Sequence, residues 1–127
     1  MNSIRILLAE DDTNLGILLK NYLTAKNYET FLYINGILAL DAFRNKSFDL
    51  CILDIMMPEM DGFQTLKNIR SNTDLGGIPI YAVTAKAMVG DKEIILKHGF
   101  NDYIPKPVNS TIISSKIAQL FSKIKSN

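Results

Sequence analysis

Residues 48–62 decide the fold, and they read Phe-Asp-Leu-Cys-Ile-Leu-Asp-Ile-Met-Met-Pro-Glu-Met-Asp-Gly. The apolar run Leu50–Leu53 ends abruptly at Asp54, and this pattern predicts a short strand buried on both faces. Pro58 and Gly62 then indicate a loop that leads into a helix near Gly62. Asp54 therefore stands at the carboxyl end of a buried strand, where ligands bind in open α/β sheets. On this stretch alone, the aspartate fits a cap as well as it fits chemistry.

A second predicted strand also ends in acids. Residues 4–9 form another mostly apolar run, and Glu10-Asp11-Asp12 follow it directly. If the two strands are parallel neighbours, their carboxylates meet at one edge and repel each other strongly. A cation relieves this repulsion, and Mg²⁺ is the natural one because carboxylate oxygens are hard ligands. Asp12 or Thr13 is also expected to cap the next helix, but a cap does not require three consecutive acids.

Length and composition restrict the class of protein. The chain has 127 residues, of which 47% are hydrophobic and 21% charged, which predicts one soluble globular domain over residues 1–127. It has neither an apolar run long enough to span a membrane nor a signal-peptide layout, so no membrane association is expected. The lone cysteine, Cys51, lies in a predicted strand and is expected to be a small core residue. These features predict a cytoplasmic protein.

Charge is unevenly distributed along the chain, although the net charge is only +1. Residues 1–63 contain nine acids and five bases, whereas residues 64–127 contain four acids and nine bases. The lysines are scattered singly, with no aromatic interleaving and no helix-turn-helix pattern, which argues against direct nucleic-acid binding. The uneven charge is better explained if a few bases of the second half face the acids of the first half across a phosphate-binding site.

Five strand–helix pairs follow one another along the chain. The strands are predicted at residues 4–9, 29–33, 50–54, 78–83 and 101–104, and the helices at 13–27, 37–43, from 62, 85–98 and from 109 or 110. This alternation predicts an α/β fold, a doubly wound five-stranded parallel sheet with helices on both faces. Right-handed crossovers in one domain favour the flavodoxin-like strand order 2-1-3-4-5.

Apolar positions divide the helices into buried and exposed faces. Helix one is expected to bury a stripe that includes Leu18 and Leu19, and helix four to bury Ile95 and Leu96. The extra apolar residues Ile94 and Ile112 lie off the buried stripes of helices four and five. If they are grouped, they indicate a partner surface, whereas isolated exposed apolar residues mean little.

The favoured strand order gathers polar side chains at one edge of the sheet. Strands one and three lie side by side, so Glu10, Asp11 and Asp54 meet, and strands four and five bring Thr84 and Lys106 to the same edge. A bound cation, a hydroxyl and a lysine all suit the oxygens of a phosphoryl group. Asp54 is the candidate nucleophile, and its attack on phosphorus forms an acyl phosphate whose lability suits a switch.

Four segments make the chain resemble a response-regulator receiver domain of two-component signalling over its whole length. The segments are Leu8–Asp12, Leu53–Gly62, Ala82–Ala85 and Asp102–Pro107. The resemblance implies that Asp54 accepts a phosphoryl group from a histidine kinase or a histidine phosphotransfer protein. One departure is Glu10, where many members have Asp. Because Glu still supplies a carboxylate, we expect Mg²⁺ binding to persist.

The same resemblance implies roles for individual residues. Glu10, Asp11 and Asp54 are expected to hold Mg²⁺, with the main-chain carbonyl of Met56 as a further ligand. Thr84 and Lys106 are expected to bind the phosphoryl oxygens, and the Lys106–Pro107 peptide to be cis.

The switch implied by the resemblance uses Thr84 and Tyr103. Thr84 moves toward the phosphoryl group, Tyr103 turns inward, and the face formed by helix four, strand five and helix five changes. A downstream protein is expected to bind that face. Without the resemblance, Tyr103 is better explained as a half-buried aromatic residue of the sheet.

Two side chains flank the expected site, Met56 two residues after Asp54 and Lys86 two residues after Thr84. Either they overhang the phosphoryl group and set its lifetime, or they simply face solvent. Our hypothesis is that the bulky Met56 obstructs attacking water and slows dephosphorylation.

Three other functions fit parts of the pattern. A haloacid-dehalogenase-type phosphatase needs a second Asp where Met56 stands, and FMN binding needs a phosphate loop where three acids repel phosphate. A pseudo-receiver that binds partners without phosphorylation is the main alternative, although all five site residues are present. The chain is a stand-alone regulator or the receiver of a hybrid kinase: Met1 favours the former, whereas residues 85–91 resemble both.

Overall fold

Five parallel strands alternate with five helices in the computed structural model, which describes residues 3–71, 77–85 and 89–125. The elements are β1 (Arg5–Ala9), α1 (Thr13–Ala25), β2 (Glu29–Tyr33), α2 (Gly36–Ala42), β3 (Leu50–Asp54), α3 (Gly62–Ser71), β4 (Ile80–Thr84), α4 (Val89–Lys97), β5 (Asp102–Pro105) and α5 (Ser110–Lys125). In the described part of the chain, no helix has the length and apolar character needed to cross a membrane.

The sheet has the strand order β2-β1-β3-β4-β5, which confirms the predicted order. In the parallel register Ala9 pairs with Leu53, and Asp54 pairs with Val83. The ends of β1 and β3 therefore coincide. Consequently the residue after β1 and the last residue of β3 emerge next to each other at the carboxyl edge.

Two apolar cores cover the two faces of the sheet. Every residue of β3 and β4 is buried, as expected for central strands of a parallel sheet. On one face, residues such as Leu7 and Leu53 pack with side chains from α2, α3 and α4. On the other face, residues such as Leu8 and Ile52 pack with side chains from α1 and α5. The predicted doubly wound architecture is confirmed.

Side-chain caps begin the helices at the expected positions. The Asp12 carboxylate accepts a hydrogen bond from the Leu15 amide at 3.1 Å, at the start of α1. The Asn109 side chain accepts hydrogen bonds from the Thr111 and Ile112 amides at the start of α5. After α4, Gly99 adopts a φ of 114°, which a glycine tolerates without strain.

Two apolar side chains were wrongly expected to face the core. Leu18 is 65% exposed, and the buried face of α1 instead includes Gly16, Leu19 and Leu23. A Cβ atom at Gly16 would come within 2.9 Å of Leu32, so α1 approaches the sheet at its glycine and Leu18 points away. Leu96 is 42% exposed, one residue after the buried Ile95.

Several element boundaries differ from the expected ones by one or more residues, and the largest differences are at the starts of β4 and α4. β4 begins at Ile80 because Pro79 lacks the N–H that a strand residue donates, although its carbonyl accepts the Cys51 amide at 3.0 Å. The described part of α4 begins at Val89 rather than at Ala85. Lys86 lies outside the described residues, together with 87 and 88.

Candidate functional site

Three carboxylates meet at the carboxyl edge of the sheet. Glu10 follows β1, Asp11 comes next, and Asp54 is the last residue of β3. Each offers an oxygen, and these oxygens lie within 4.8 Å of one another. Glu10 and Asp54 are each only 1% exposed, whereas Asp11 faces solvent. The cluster is therefore partly shielded from water, and its negative charges repel each other strongly.

Lys106, just after β5, brings a positive charge into this cluster. Its Nζ donates a hydrogen bond to Asp54 Oδ2 at 3.0 Å and lies 3.3 Å from Glu10 Oε1. Burial lowers the pKa of Lys106, but the hydrogen bond to Asp54 and the two carboxylate charges outweigh burial and leave the pKa raised. The lysine is therefore cationic. Its own amide donates to the Thr84 carbonyl at 2.8 Å, and the Lys106–Pro107 peptide is cis as expected.

The two oxygens of Glu10 have different surroundings. Oε2 accepts a hydrogen bond from the Asp12 amide at 3.1 Å. Oε1 is buried and has no hydrogen-bond partner among the described residues, because its contact with Lys106 lacks hydrogen-bond geometry. Burial raises the pKa of Glu10 to about 7, the nearby Asp54 carboxyl adds to this shift, and the Asp12 amide and Lys106 oppose it.

This acid cluster fits a hard divalent cation. A buried carboxylate oxygen without a hydrogen bond is costly, and a cation beside it would remove both that cost and the repulsion among three acids. Carboxylate oxygens, with positions left for water, are the ligands that Mg²⁺ prefers. The donor set therefore suits Mg²⁺.

The loop after β3 fixes the second oxygen of Asp54. The Met56 amide donates a hydrogen bond to Asp54 Oδ1 at 3.1 Å, while the Met56 side chain is 67% exposed. The Gly62 amide returns to the Ile55 carbonyl at 2.9 Å, so the loop closes at the start of α3. A Cβ atom at Gly62 would come within 2.7 Å of Ile55 Cα and 2.8 Å of the Asp54 carbonyl, so only glycine fits there.

A reciprocal pair of hydrogen bonds anchors the far end of this loop. The Gln64 amide donates to Asp61 Oδ1 at 2.9 Å, and the Asp61 amide donates to Gln64 Oε1 at 3.2 Å. These bonds satisfy amides that the first turn of α3 leaves without helical partners. The loop that begins at Asp54 is consequently held at both ends.

Thr84 and Tyr103 lie on the neighbouring strands β4 and β5. Thr84 is the last residue of β4 and is buried, and Tyr103 in β5 is half-buried. In the register between these strands, Ala82 pairs with Tyr103 and Thr84 pairs with Pro105. Ile94 and Ile112, on the two flanking helices, are exposed as expected.

Sequence reasoning missed two lysines beside Tyr103. The Nζ atoms of Lys92 and Lys116 lie 5.3 and 5.0 Å from the centroid of its ring. Each lysine belongs to a different helix, so their meeting depends on how α4 and α5 pack beside β5. In the sequence, the meeting of these lysines is signalled only by where each one stands relative to the buried stripe of its helix.

The site can hold an anionic transition state at Asp54. One Asp54 oxygen accepts a hydrogen bond from the Lys106 ammonium group and the other accepts one from a main-chain N–H, so the carboxyl group is held in place. A cation held by the acid cluster and the Lys106 ammonium would both neutralise incoming phosphoryl oxygens. These features suit transfer of a phosphoryl group to a carboxylate.

Comparisons with known proteins agree with this geometry. A family model described as the response regulator receiver domain matches residues 6–118. The transcriptional regulatory protein RprY of Bacteroides fragilis is 39% identical over 122 residues, which are 96% of this chain and 51% of RprY. The polar-differentiation response regulator DivK of Brucella anthropi is 38% identical over 104 residues, which are 82% of this chain and 85% of DivK. The chain thus spans about half the length of RprY.

A solved structure has the same fold and a metal at its site. The receiver domain of the sensor histidine kinase PA1611 from Pseudomonas aeruginosa matches with a TM-score of 0.84 and 29% identity, over 93% of this chain and 97% of that one. It has a magnesium ion coordinated in its active site cleft.

Proposed function

The chain belongs to the response regulator receiver domain family, and we propose that Asp54 is the residue at which this switch accepts its phosphoryl group. The chain is a phosphorylatable signalling switch of two-component systems. Its family consists of signalling switches rather than enzymes that turn over a separate substrate. Autocatalysis of the phosphorylation and dephosphorylation of Asp54 is part of the proposal.

The surroundings of Asp54 carry this proposal. The carboxylate ends the central strand β3, is buried, and is held between the Lys106 ammonium at 3.0 Å and the Met56 amide at 3.1 Å. Glu10 and Asp11 lie close enough to share a cation with it. Without these neighbours, a carboxylate at the end of a strand would be explained equally well as a residue that caps the following turn or helix.

In the proposed reaction, a carboxylate oxygen of Asp54 attacks the phosphorus atom of a phosphohistidine. The new O–P bond forms as the P–N bond to the histidine breaks, and the histidine nitrogen leaves with the electron pair of that bond. Lys106 and Thr84 bind the transferred oxygens, and Lys106 neutralises their charge. When bound by Glu10, Asp11, Asp54 and the Met56 carbonyl, Mg²⁺ supplies further charge neutralisation.

Receiver domains work with histidine kinases in two-component systems. For this chain we propose a histidine kinase or a histidine phosphotransfer protein as the donor. A downstream protein would then bind the face formed by α4, β5 and α5, where Ile94 and Ile112 are exposed. We also propose that residues 1–127 act as one receiver domain in the cytoplasm, without contacting nucleic acid or a membrane.

Intact mass spectrometry tests the proposal directly. The wild type, Asp54→Asn and the control Asp61→Asn would be incubated with Mg²⁺ and acetyl phosphate. Asp61 lies in the same loop, and Asn preserves its capping side chain. We expect one added phosphoryl group on the wild type and on the control, and none on Asp54→Asn.

Phosphohistidine donors complete the test. If acetyl phosphate fails, a phosphorylated histidine phosphotransfer protein replaces it in the same assay. Uptake by Asp54→Asn that equals wild-type uptake would place the modification elsewhere. An unmodified wild type with both donors, in the presence of Mg²⁺, would instead favour a module that works without phosphorylation.

A further inference from the structure

Two cations lie over the ring of one switch residue. Lys92 Nζ, from α4, is 5.3 Å from the centroid of the Tyr103 ring, and Lys116 Nζ, from α5, is 5.0 Å from it. Both distances are within the range of a cation–π attraction between an ammonium group and an aromatic ring. Each helix that flanks β5 therefore contributes one attraction that acts on the same side chain.

A carboxylate holds one of these cations in place. Asp102 Oδ1 accepts a hydrogen bond from Lys116 Nζ at 2.9 Å and also from the Tyr103 amide at 2.7 Å. Lys116 is half-buried, whereas Lys92 is exposed. The same carboxylate thus fixes the backbone of Tyr103 and the ammonium above its ring. Because Lys116 is already ordered, its contact with the ring costs little further side-chain entropy.

The path from Tyr103 to the site runs along one face of the sheet. Ala82 pairs with Tyr103, and because side chains alternate along a strand, Thr84 lies on the same face as Ala82. Tyr103 packs against the core cluster that contains Ala82. A small residue therefore lies between the tyrosine and the threonine at the phosphoryl site.

We propose that Lys92 and Lys116 are positioning residues that hold Tyr103 in its observed place and so keep the resting switch off. The inference rests on the proposed function and on the switch that the family resemblance implies, in which Tyr103 turns inward when Asp54 is phosphorylated. On this proposal the inward turn breaks both contacts, which lowers the population of the active state before phosphorylation. The alternative is that both lysines are solvated charges with no influence on the ring.

The experiment follows the Tyr103 ring with a phosphoryl analogue. Protein labelled with 3-fluorotyrosine would be titrated with beryllofluoride in the presence of Mg²⁺ and monitored by fluorine NMR. Tyr103→Phe identifies the resonance among those of the five tyrosines. Wild-type protein gives the resting and saturated positions of the resonance and the apparent affinity for beryllofluoride.

The variants remove or retain the cation with little change in length. Lys92→Met and Lys116→Met keep an apolar stem but lose the charge, whereas Lys92→Arg and Lys116→Arg retain it. Lys97→Met is the matched control, because Lys97 is an exposed lysine in the last turn of the same helix as Lys92. In the described structure, the cations over the Tyr103 ring are those of Lys92 and Lys116.

We expect each Lys→Met change to increase the resting population of the inward ring about two- to fivefold. The apparent affinity for beryllofluoride should tighten by about the same factor, because the competent state is more populated. Losing a positive charge would by itself weaken binding of this anion, so the expected change has the opposite sign to a general charge effect. Lys97→Met reports that general effect, and the Arg variants should behave like the wild type.

The proposal is overturned if Lys92→Met and Lys116→Met bind beryllofluoride no more tightly than Lys97→Met and leave the Tyr103 resonance unchanged. That result would leave the role of Asp54 intact, provided that the wild type still binds the analogue. A wild-type Tyr103 resonance that does not respond to saturating beryllofluoride would overturn the inference as well. Failure of the wild type to bind beryllofluoride would count against the proposed function itself.

Discussion

The ammonium group of Lys106 lies 3.0 Å from Oδ2 of Asp54, although β4 separates β3 from β5 in the sheet. The pair therefore connects the ends of two strands that share no backbone hydrogen bonds. It also places a cation beside the two buried carboxylates, because Glu10 Oε1 is 3.3 Å from the same nitrogen. One lysine thus supplies a single positive charge that two buried carboxylates share.

Removing this lysine should destabilise the metal-free protein. Lys106→Met leaves Asp54 and Glu10 without a counter-charge, and we expect the free energy of unfolding in EDTA to fall by about 1–3 kcal/mol at pH 8. Added Mg²⁺ should recover part of the loss because it neutralises the same carboxylates. Urea unfolding measures both effects, with the exposed Lys20→Met as the control. Equal stability of Lys106→Met and the wild type in EDTA would contradict this account.

The raised pKa of Glu10 predicts how metal-free stability changes with pH. The folded-state pKa is about 7 and the ordinary value is 4.5, so between these values the folded protein binds the proton more tightly than the unfolded chain does. The free energy of unfolding therefore falls as pH rises through this window. Glu10→Gln should remove this decline and be the more stable protein at pH 8, by on the order of 2 kcal/mol. Urea unfolding in EDTA at pH 5 and pH 8 measures the free energy of unfolding of both proteins. An equal change in this free energy between the two pH values for wild type and Glu10→Gln would refute the prediction.

Mg²⁺ affinity should rise with pH in the same range. The cation requires an ionised Glu10, whose pKa is about 7 in the metal-free protein. We expect about tenfold tighter binding at pH 8 than at pH 6, with release of protons. Calorimetric titration in two buffers of different ionisation enthalpy measures the affinity and the proton count together. Asp12→Asn, which keeps the helix cap, should show the same pH dependence, whereas Glu10→Gln should show much less.

A methyl group at Gly62 should disturb the site through the backbone. The new Cβ atom would approach Ile55 Cα and the Asp54 carbonyl within 2.8 Å, and backbone atoms cannot move aside as a flexible side chain can. We expect Gly62→Ala to lower the free energy of unfolding by about 2 kcal/mol or more and to slow phosphorylation. Gly90→Ala is the matched control, because a Cβ atom there meets no atom within 4 Å and Ala favours a helix by about 0.5–1 kcal/mol. Gly62→Ala is therefore expected to lower the free energy of unfolding, measured by urea unfolding, and Gly90→Ala to raise it.

The exposed Met56 side chain is expected to limit the access of water to phosphorylated Asp54. Met56→Asn replaces an apolar group by one that can hydrogen-bond water, so dephosphorylation should become several-fold faster. The decay of the added mass, followed after removal of the phosphodonor, gives the rate. Met56→Leu keeps an apolar side chain and should decay as the wild type does. Equal rates for all three proteins would show that Met56 only faces solvent.

Strand order was predictable from the alternation of strands and helices and the right-handed crossover rule, and the acid cluster from the residues that end two strands. Apolar runs that end in Glu10 and Asp54 locate two strand ends, and the parallel arrangement brings those ends together. The exposure of Leu18 was not predictable, because it depends on the close approach of α1 to Leu32 at Gly16. Likewise, the raised pKa of Glu10 depends above all on the burial of its carboxyl group, which the sequence does not display.

The candidate site takes its groups from the ends of β1, β3, β4 and β5, and Lys106 follows the last of these strands. A nascent chain or proteolytic fragment that stops before residue 106 lacks the only ammonium that is ion-paired with Asp54 in the described structure. On the proposed role of Asp54, such a fragment is expected to accept a phosphoryl group poorly. If Lys106 has the proposed role, completion of the last strand is a requirement for signalling, and synthesis of the domain must finish before the switch can work.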